Sequence, residues 1–158
     1  MTISTNARVA PIRPATPDDL PAIEQLLTES GLPVEGVADI VRASTGEFLV
    51  AESVGDGQLV GVAGLEICCD DALLRSVAVR PEWRSHGVGR DLVHEIVDHA
   101  ESRGFPALYL LTMTAERYFP RFGFSRIERD AAPKGIAESK EFTSMCPSSA
   151  AVMVKSLA

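Results

Sequence analysis

Apolar residues recur along the chain with two different periods, and the switches between them outline a succession of helices and strands. Arg8 to Arg13 reads as a short first strand. Thr16-Pro17-Asp18-Asp19 then opens a helix, with Thr at the cap, Pro in the first turn and acids near the positive end. Leu20, Ile23, Leu26 and Leu27 fall at helical spacing, and Gly31 ends the run. Val37, Ile40 and Val41 mark a second short helix from about Glu35 to Ala43. Glu47 to Val54 and Gln58 to Ile67 flank Gly55-Asp56-Gly57 and predict a hairpin, because those turn residues tolerate positive φ. Asp70-Asp71 turns into a strand from Leu73 to Val79.

Val88, Leu92, Ile96 and Ala100 lie about one turn apart and predict a long helix to about Arg103. Ala107 to Thr112 reads as a buried strand, and Ala115 to Phe122 as a short helix stopped by Gly123. Phe124 to Glu128 is a further strand, Asp130 to Pro147 a loop with one or two helical turns, and Ala150 to Val154 a last strand. Strands before and after one central helix imply an α+β domain, layered like α/β folds around a mixed sheet.

The 158 residues suit one domain, 1–158, with Met1 to Ala7 small, polar and expected to be flexible. That N-terminus has no basic stretch leading into an apolar one, so no secretory signal is read there. A formal charge of -7 argues against nucleic-acid or anionic-membrane partners, and no apolar run approaches the roughly 18 residues of a membrane span. Three cysteines, Cys68, Cys69 and Cys146, give an odd count without disulfide-framework spacing, which predicts a reduced cytoplasmic protein. No His, Cys or Asp cluster has metal-ligand spacing, so no metal is expected.

Chemistry enters at Arg84-Ser85-His86-Gly87-Val88-Gly89-Arg90, between the strand closed by Arg80-Pro81-Glu82-Trp83 and the long helix. Glycines let backbone N–H groups approach a phosphate, and a helix N-terminus favours negative charge. Arg84 at the mouth of the turn offers charge-assisted bonds to phosphate, whereas His86 reads as an exposed loop residue. A second constellation lies on the strands. Alternation puts Leu73, Arg75, Val77 and Val79 on one face, and counting back from the Asp70-Asp71 turn sets Glu66 opposite Arg75. A charge inside an apolar strand is costly unless paired. The pair is either a structural ion pair or the place where Arg75 binds an acceptor carboxylate and Glu66 takes a proton from its amine.

The Arg-x-x-Gly-x-Gly turn after a Pro-ended strand, the order of elements and Phe122-Gly123-Phe124 together resemble the GNAT acetyltransferases. The resemblance runs from about Val9 to Lys155. It implies a mixed sheet of about six to seven strands with about four helices, and acetyl-CoA as co-substrate. It further implies that residues 84–90 hold the CoA pyrophosphate. Val77, Ala78 and Val79 would line the pantetheine arm, with the Val77 N–H facing the developing oxyanion. Many GNAT enzymes carry an acid where this chain has Arg75, which moves the base role to Glu66. The usual acid, a Tyr four residues before the Gly of the Gly-Phe pair, is here Phe119, leaving Tyr118 one place earlier.

A narrower resemblance, in residues 110–115 and 141–150 and including Glu66, Leu74 to Val79 and Arg129 to Pro133, is to small acetyltransferases found with bacterial arsenic-resistance genes, near short N-acetylglutamate-synthase-like enzymes. It implies a small acidic amino acid, or a glutamate-like organoarsenical such as arsinothricin, as the amine acceptor. It also draws Thr112, Thr114 and Cys146 toward the acceptor site. Taken alone, Thr114 reads as a helix cap and Cys146 as a small buried hydrophobe. A protein or peptide N-acetyltransferase and a non-catalytic acyl-CoA-binding module are the competing readings, and a homodimer is compatible with each.

Overall fold

A computed structural model describes residues 11–43, 47–68, 70–113, 115–139, 142 and 150–157. One mixed seven-stranded sheet runs through it in the order β1-β2-β3-β4-β5-β7-β6. Its strands are β1 (Arg13–Pro14), β2 (Glu47–Glu52), β3 (Leu59–Cys68), β4 (Asp71–Val79), β5 (Ala107–Thr112), β6 (Ser125–Ile127) and β7 (Ala151–Ser156). Four helices cover the two faces: α1 (Leu20–Glu29), α2 (Val37–Ala43), α3 (Val88–Ser102) and α4 (Lys134–Ala137). The expected α+β class, strand number and helix number are all met.

Among the described α-helices only α3, the longest, packs on its face of the sheet. Val88, Leu92, Val93, Ile96, Val97 and Ala100 of α3 bury against Leu49, Ala63, Leu65, Leu74, Leu108 and Leu110 of the sheet. On the other face α1 and α2 close over Phe48, Val50, Val62 and Ala78. A smaller cluster of Leu73, Leu111, Ile136, Phe142 and Val152 continues that face under α4.

Several boundaries depart from the sequence pattern. Within the described residues the first strand is Arg13–Pro14 alone, and α2 begins at Val37. The segment 115–122 is a turn followed by a 3₁₀ stretch, Phe119–Phe122, and forms no α-helix. Pro120 supplies no N–H there, and Gly123 closes the stretch at φ 94.

The entry to α1 carries a pH signature. Arg13 grips the Asp19 carboxylate with both terminal nitrogens, at 2.8 and 3.0 Å, and the Thr16 N–H adds a bond of 2.8 Å. Beside that guanidinium the Asp19 carboxyl is lowered to about 2. Its folded value lies below the ordinary carboxyl near about 4, so its contribution is complete above that range and is lost as pH falls toward 2. Asp19→Asn is therefore expected to lower Tm at neutral pH. It should also flatten the fall of Tm between about pH 4 and 2, and parallel wild-type and variant profiles in acid melts would contradict the assignment.

Candidate active site

Antiparallel β3 and β4 carry most of the candidate chemistry, and one residue decides how. Val62 pairs with Ala78 and Gly64 with Arg75, so β4 spends one more residue than β3 between these pairs. That extra residue is accommodated at Ser76, buried and left-handed at φ 60. A non-glycine residue in this region costs about 1–2 kcal/mol and re-aims the strand beyond it.

The bulge corrects the expected alternation. Leu73 and Arg75 lie on the α1/α2/α4 face, whereas Val77 and Val79 pack beside Tyr118 against the α3 cluster. The register is corrected as well. Gly64, not Glu66, lies opposite Arg75, while Glu66 pairs with Leu73. The ion pair forms all the same, diagonally across the strands, with Arg75 Nη1 donating to Glu66 Oε1 at 2.9 Å. Arg75 also donates from Nε to Ser76 Oγ at 2.9 Å and from Nη2 to the Pro33 carbonyl at 3.3 Å. Its side chain is 0% exposed and that of Glu66 10%. One guanidinium thus ties together β3, the bulge of β4 and the α1–α2 connection.

On its other edge β4 runs parallel to β5, paired through Ala72, Leu73 and Leu74 with Leu108, Tyr109 and Leu110. Beyond Leu74 that ladder stops while both strands continue. The Arg80 N–H donates to Val60 of β3. Strand alternation therefore turns the backbone groups of Val77 and Val79 away from β3, toward the opening. At the end of this opening Arg84 Nε donates to the Val79 carbonyl at 3.2 Å.

The turn that follows is built from two left-handed residues, Ser85 at φ 67 and Gly87 at φ 83, with Gly87 capping α3. A Cβ on Gly87 would stand 2.7 Å from Arg90 Nη2, so the Arg90 guanidinium lies folded over the turn. A Cβ on Gly89 would stand 3.0 Å from the Tyr118 hydroxyl and 3.5 Å from Val79 Cγ2. Tyr118 therefore reaches the head of α3 beside β4. Phe119 turns instead into the aromatic cluster, 5.9 Å from Phe124. Burial raises the Tyr118 phenol above its ordinary value, so the hydroxyl keeps its proton at neutral pH. The Arg121 guanidinium lies over the same ring, 4.6 Å from its centre.

His86 is exposed, its Nδ1 2.8 Å from the Arg84 carbonyl. Thr112, at the end of β5, accepts the Ala115 N–H at 2.9 Å and so caps the following turn. Thr114 and Cys146 lie outside the described residues, as do Cys69 and the side chain of Cys68.

Left-handed glycine turn, arginines at its mouth, helix N-terminus and parted parallel strands all coincide at one edge of β4. The chain matches the acetyltransferase (GNAT) domain family over residues 44–126, just over half its length. It belongs to the GNAT acetyltransferases.

An amino-acid acetyltransferase of Mycobacterium tuberculosis is 33% identical over 74% of this GNAT chain and 69% of its own length. One from Azotobacter vinelandii is 29% identical over 81% of this chain but only 31% of itself, so the chain spans under a third of that relative. Among solved structures, N-acetylglutamate synthase from Neisseria gonorrhoeae, complexed with coenzyme A and N-acetyl-glutamate, superposes with a TM-score of 0.78. That match is at 26% identity, over 98% of this chain and 36% of that one. A Mycobacterium tuberculosis protein in complex with CoA superposes at 0.77 and 26% identity, over 94% of this chain and 100% of that one. The GNAT chain is accordingly an acetyltransferase.

Proposed function

We propose that this acetyltransferase moves an acetyl group from acetyl-CoA to the amine of a small acidic amino acid. Glutamate-like compounds, organoarsenicals such as arsinothricin among them, fall in the same class. The observation that carries the reading is the buried Glu66–Arg75 pair on the face of β4 opposite α3, beside the opening toward β5. The names of the amino-acid acetyltransferase relatives support it. An odd cysteine count supports a reducing, cytoplasmic setting.

The residues of the opening fit the donor. Turn amides from Ser85 to Gly89, with Arg84 and Arg90, suit a pyrophosphate, and the outward backbone groups of Val77 and Val79 suit an amide-bearing arm. The bound thioester supplies the acetyl group. Glu66 takes the ammonium proton, directly or through one water, while Arg75, closed off by its bonds to Glu66, Ser76 and Pro33, holds that carboxylate in place. The Val77 N–H receives the charge that develops on the thioester oxygen. Tyr118 donates a proton to the departing thiolate.

A screen of thiol release tests the reading. Glutamate, methionine sulfoximine, phosphinothricin and arsinothricin are expected to give kcat/KM at least 100-fold above that of a peptide amine. Turnover of the peptide alone would overturn it, as would tight acetyl-CoA binding without turnover of any amine. Tyr118→Phe is expected to lower kcat about tenfold, below the 10²–10⁴ typical of general acids, because a thiolate of ordinary thiol pKa leaves readily. A change within twofold would assign the ring to packing alone.

A further inference from the structure

After β6 the chain makes a 3₁₀ turn, Arg129–Ala131, and enters α4 behind Pro133. Ser139, buried, donates its hydroxyl to the Ile136 carbonyl at 2.7 Å and accepts the Phe142 N–H at 3.2 Å. This fixes the Phe142 ring in the cluster with Leu73, Leu111, Ile136 and Val152. The Arg129 guanidinium lies over that ring, its central carbon 4.1 Å from the centroid. Both Nη1 and Nη2 of Arg129 are buried and make no hydrogen bond. Among the described residues they are the only buried side-chain nitrogens or oxygens left so.

A guanidinium stays charged at any working pH, and burying its N–H groups without acceptors is among the costlier arrangements a fold can hold. Stacking on an aromatic ring offsets part of that cost but satisfies no N–H, since those donors lie in the guanidinium plane. A carboxylate, phosphinate or arsonate meets such a fork edge-on with two parallel bonds. The location matches this chemistry. Leu73, which packs with Phe142, is the cross-strand partner of Glu66, so Arg129 and the Glu66–Arg75 pair share one face of the sheet.

We propose that Arg129 recognises the distal acidic group of the acceptor through Nη1 and Nη2. The inference rests on the reading above, in which the acceptor is a small amino acid whose amine meets Glu66. An α-carboxylate is one carbon from that amine and stays near Glu66, so it leaves the far end of the side chain free to reach elsewhere. Arg129 stacks on Phe142, in the cluster that holds Leu73, and meets the far end of the side chain. Arg129 is a specificity residue for an acceptor whose side chain ends in an acid.

Arg129→Met keeps the stem over Phe142 and removes the charge, so it separates recognition from folding. Thiol release with L-glutamate and L-glutamine is compared in wild type and variant. The expected result is a KM for glutamate raised at least 30-fold, with glutamine changed less than threefold, acetyl-CoA affinity unchanged and Tm unchanged or higher. Equal losses on both acceptors, or no loss on either, would overturn the proposal. Glutarate, which has no amine, supplies a second arm: it should raise the Tm of wild type in a saturable manner and leave Arg129→Met unmoved. Equal protection of both proteins, or of neither, counts against Arg129. If wild type acetylates no small amino acid, the parent reading fails while the glutarate arm still decides this one. Should the Met variant not fold, Arg129→Lys keeps a charge without the fork and is expected to show the same glutamate-selective loss.

Discussion

Arg75→Ala is expected to destabilise the protein by about 3–5 kcal/mol, the range for breaking a buried ion pair from one side. For a domain of this length that lowers Tm by roughly 6–20 °C, at about 2–4 °C per kcal/mol. The size follows from how fully the side chain is committed. It is 0% exposed, and its three nitrogens bond the Glu66 carboxylate, the Ser76 hydroxyl and the Pro33 carbonyl. Alanine leaves a carboxylate in a nearly closed site without its cation, and leaves a void as large as the lost side chain. Arg75→Lys should fare little better, because one ammonium cannot span three acceptors held by three segments. The double replacement Arg75→Met with Glu66→Leu removes both charges and should recover most of the loss. Urea or thermal melts of the four proteins check this. A loss under about 1 kcal/mol in Arg75→Ala would mean that water reaches the pair and that it contributes no more than a surface salt bridge.

The same pair shows what could and could not be read along the chain. Its partners, Glu66 and Arg75, were legible because charge inside an apolar strand demands a partner. Their geometry was not. Ser76 sits left-handed without being Gly or Asn, and nothing in its neighbours signals a bulge. Counting from Leu73 by twos is correct up to Arg75 and wrong from Val77 on, because one extra residue exchanges the two faces. The consequence is chemical, since it separates the Arg75 face from the face on which Val77 and Val79 meet Tyr118. The Arg84–Gly89 turn was fully legible, because its glycines, its proline-ended strand and its amphipathic helix are all local signals. Residues 115–122 were misread for a different reason. Tertiary packing of Phe119 and Phe122, together with Pro120, favours a tight 3₁₀ stretch over the α-helix that apolar spacing implies. Arg129 entered only as one residue of a family resemblance, without a role. Its stacking on Phe142 joins two irregular segments, and only the fold reveals that its nitrogens lack partners.

Glu66→Gln is expected to lower kcat/KM at neutral pH by about 10²–10⁴, the span attributed to a positioned general base. Gln preserves the shape and leaves an oxygen within reach of Arg75 Nη1, but it cannot carry away a proton. It also removes the countercharge of a buried guanidinium, so stability falls as well, and the rate must be taken per folded molecule well below the lowered Tm. The pH profile separates chemistry from architecture. An amine acceptor reaches the enzyme protonated at neutral pH and must lose that proton before it can attack. As pH rises through the range where solvent removes it, the base becomes unnecessary, and the deficit of Glu66→Gln should narrow by at least tenfold. A deficit that stays constant across that range would mean that Glu66 only holds Arg75 and the bulge in place. One that appears in acceptor KM and leaves kcat intact would assign Glu66 to binding. Against these outcomes the proposal requires a loss in kcat that base relieves.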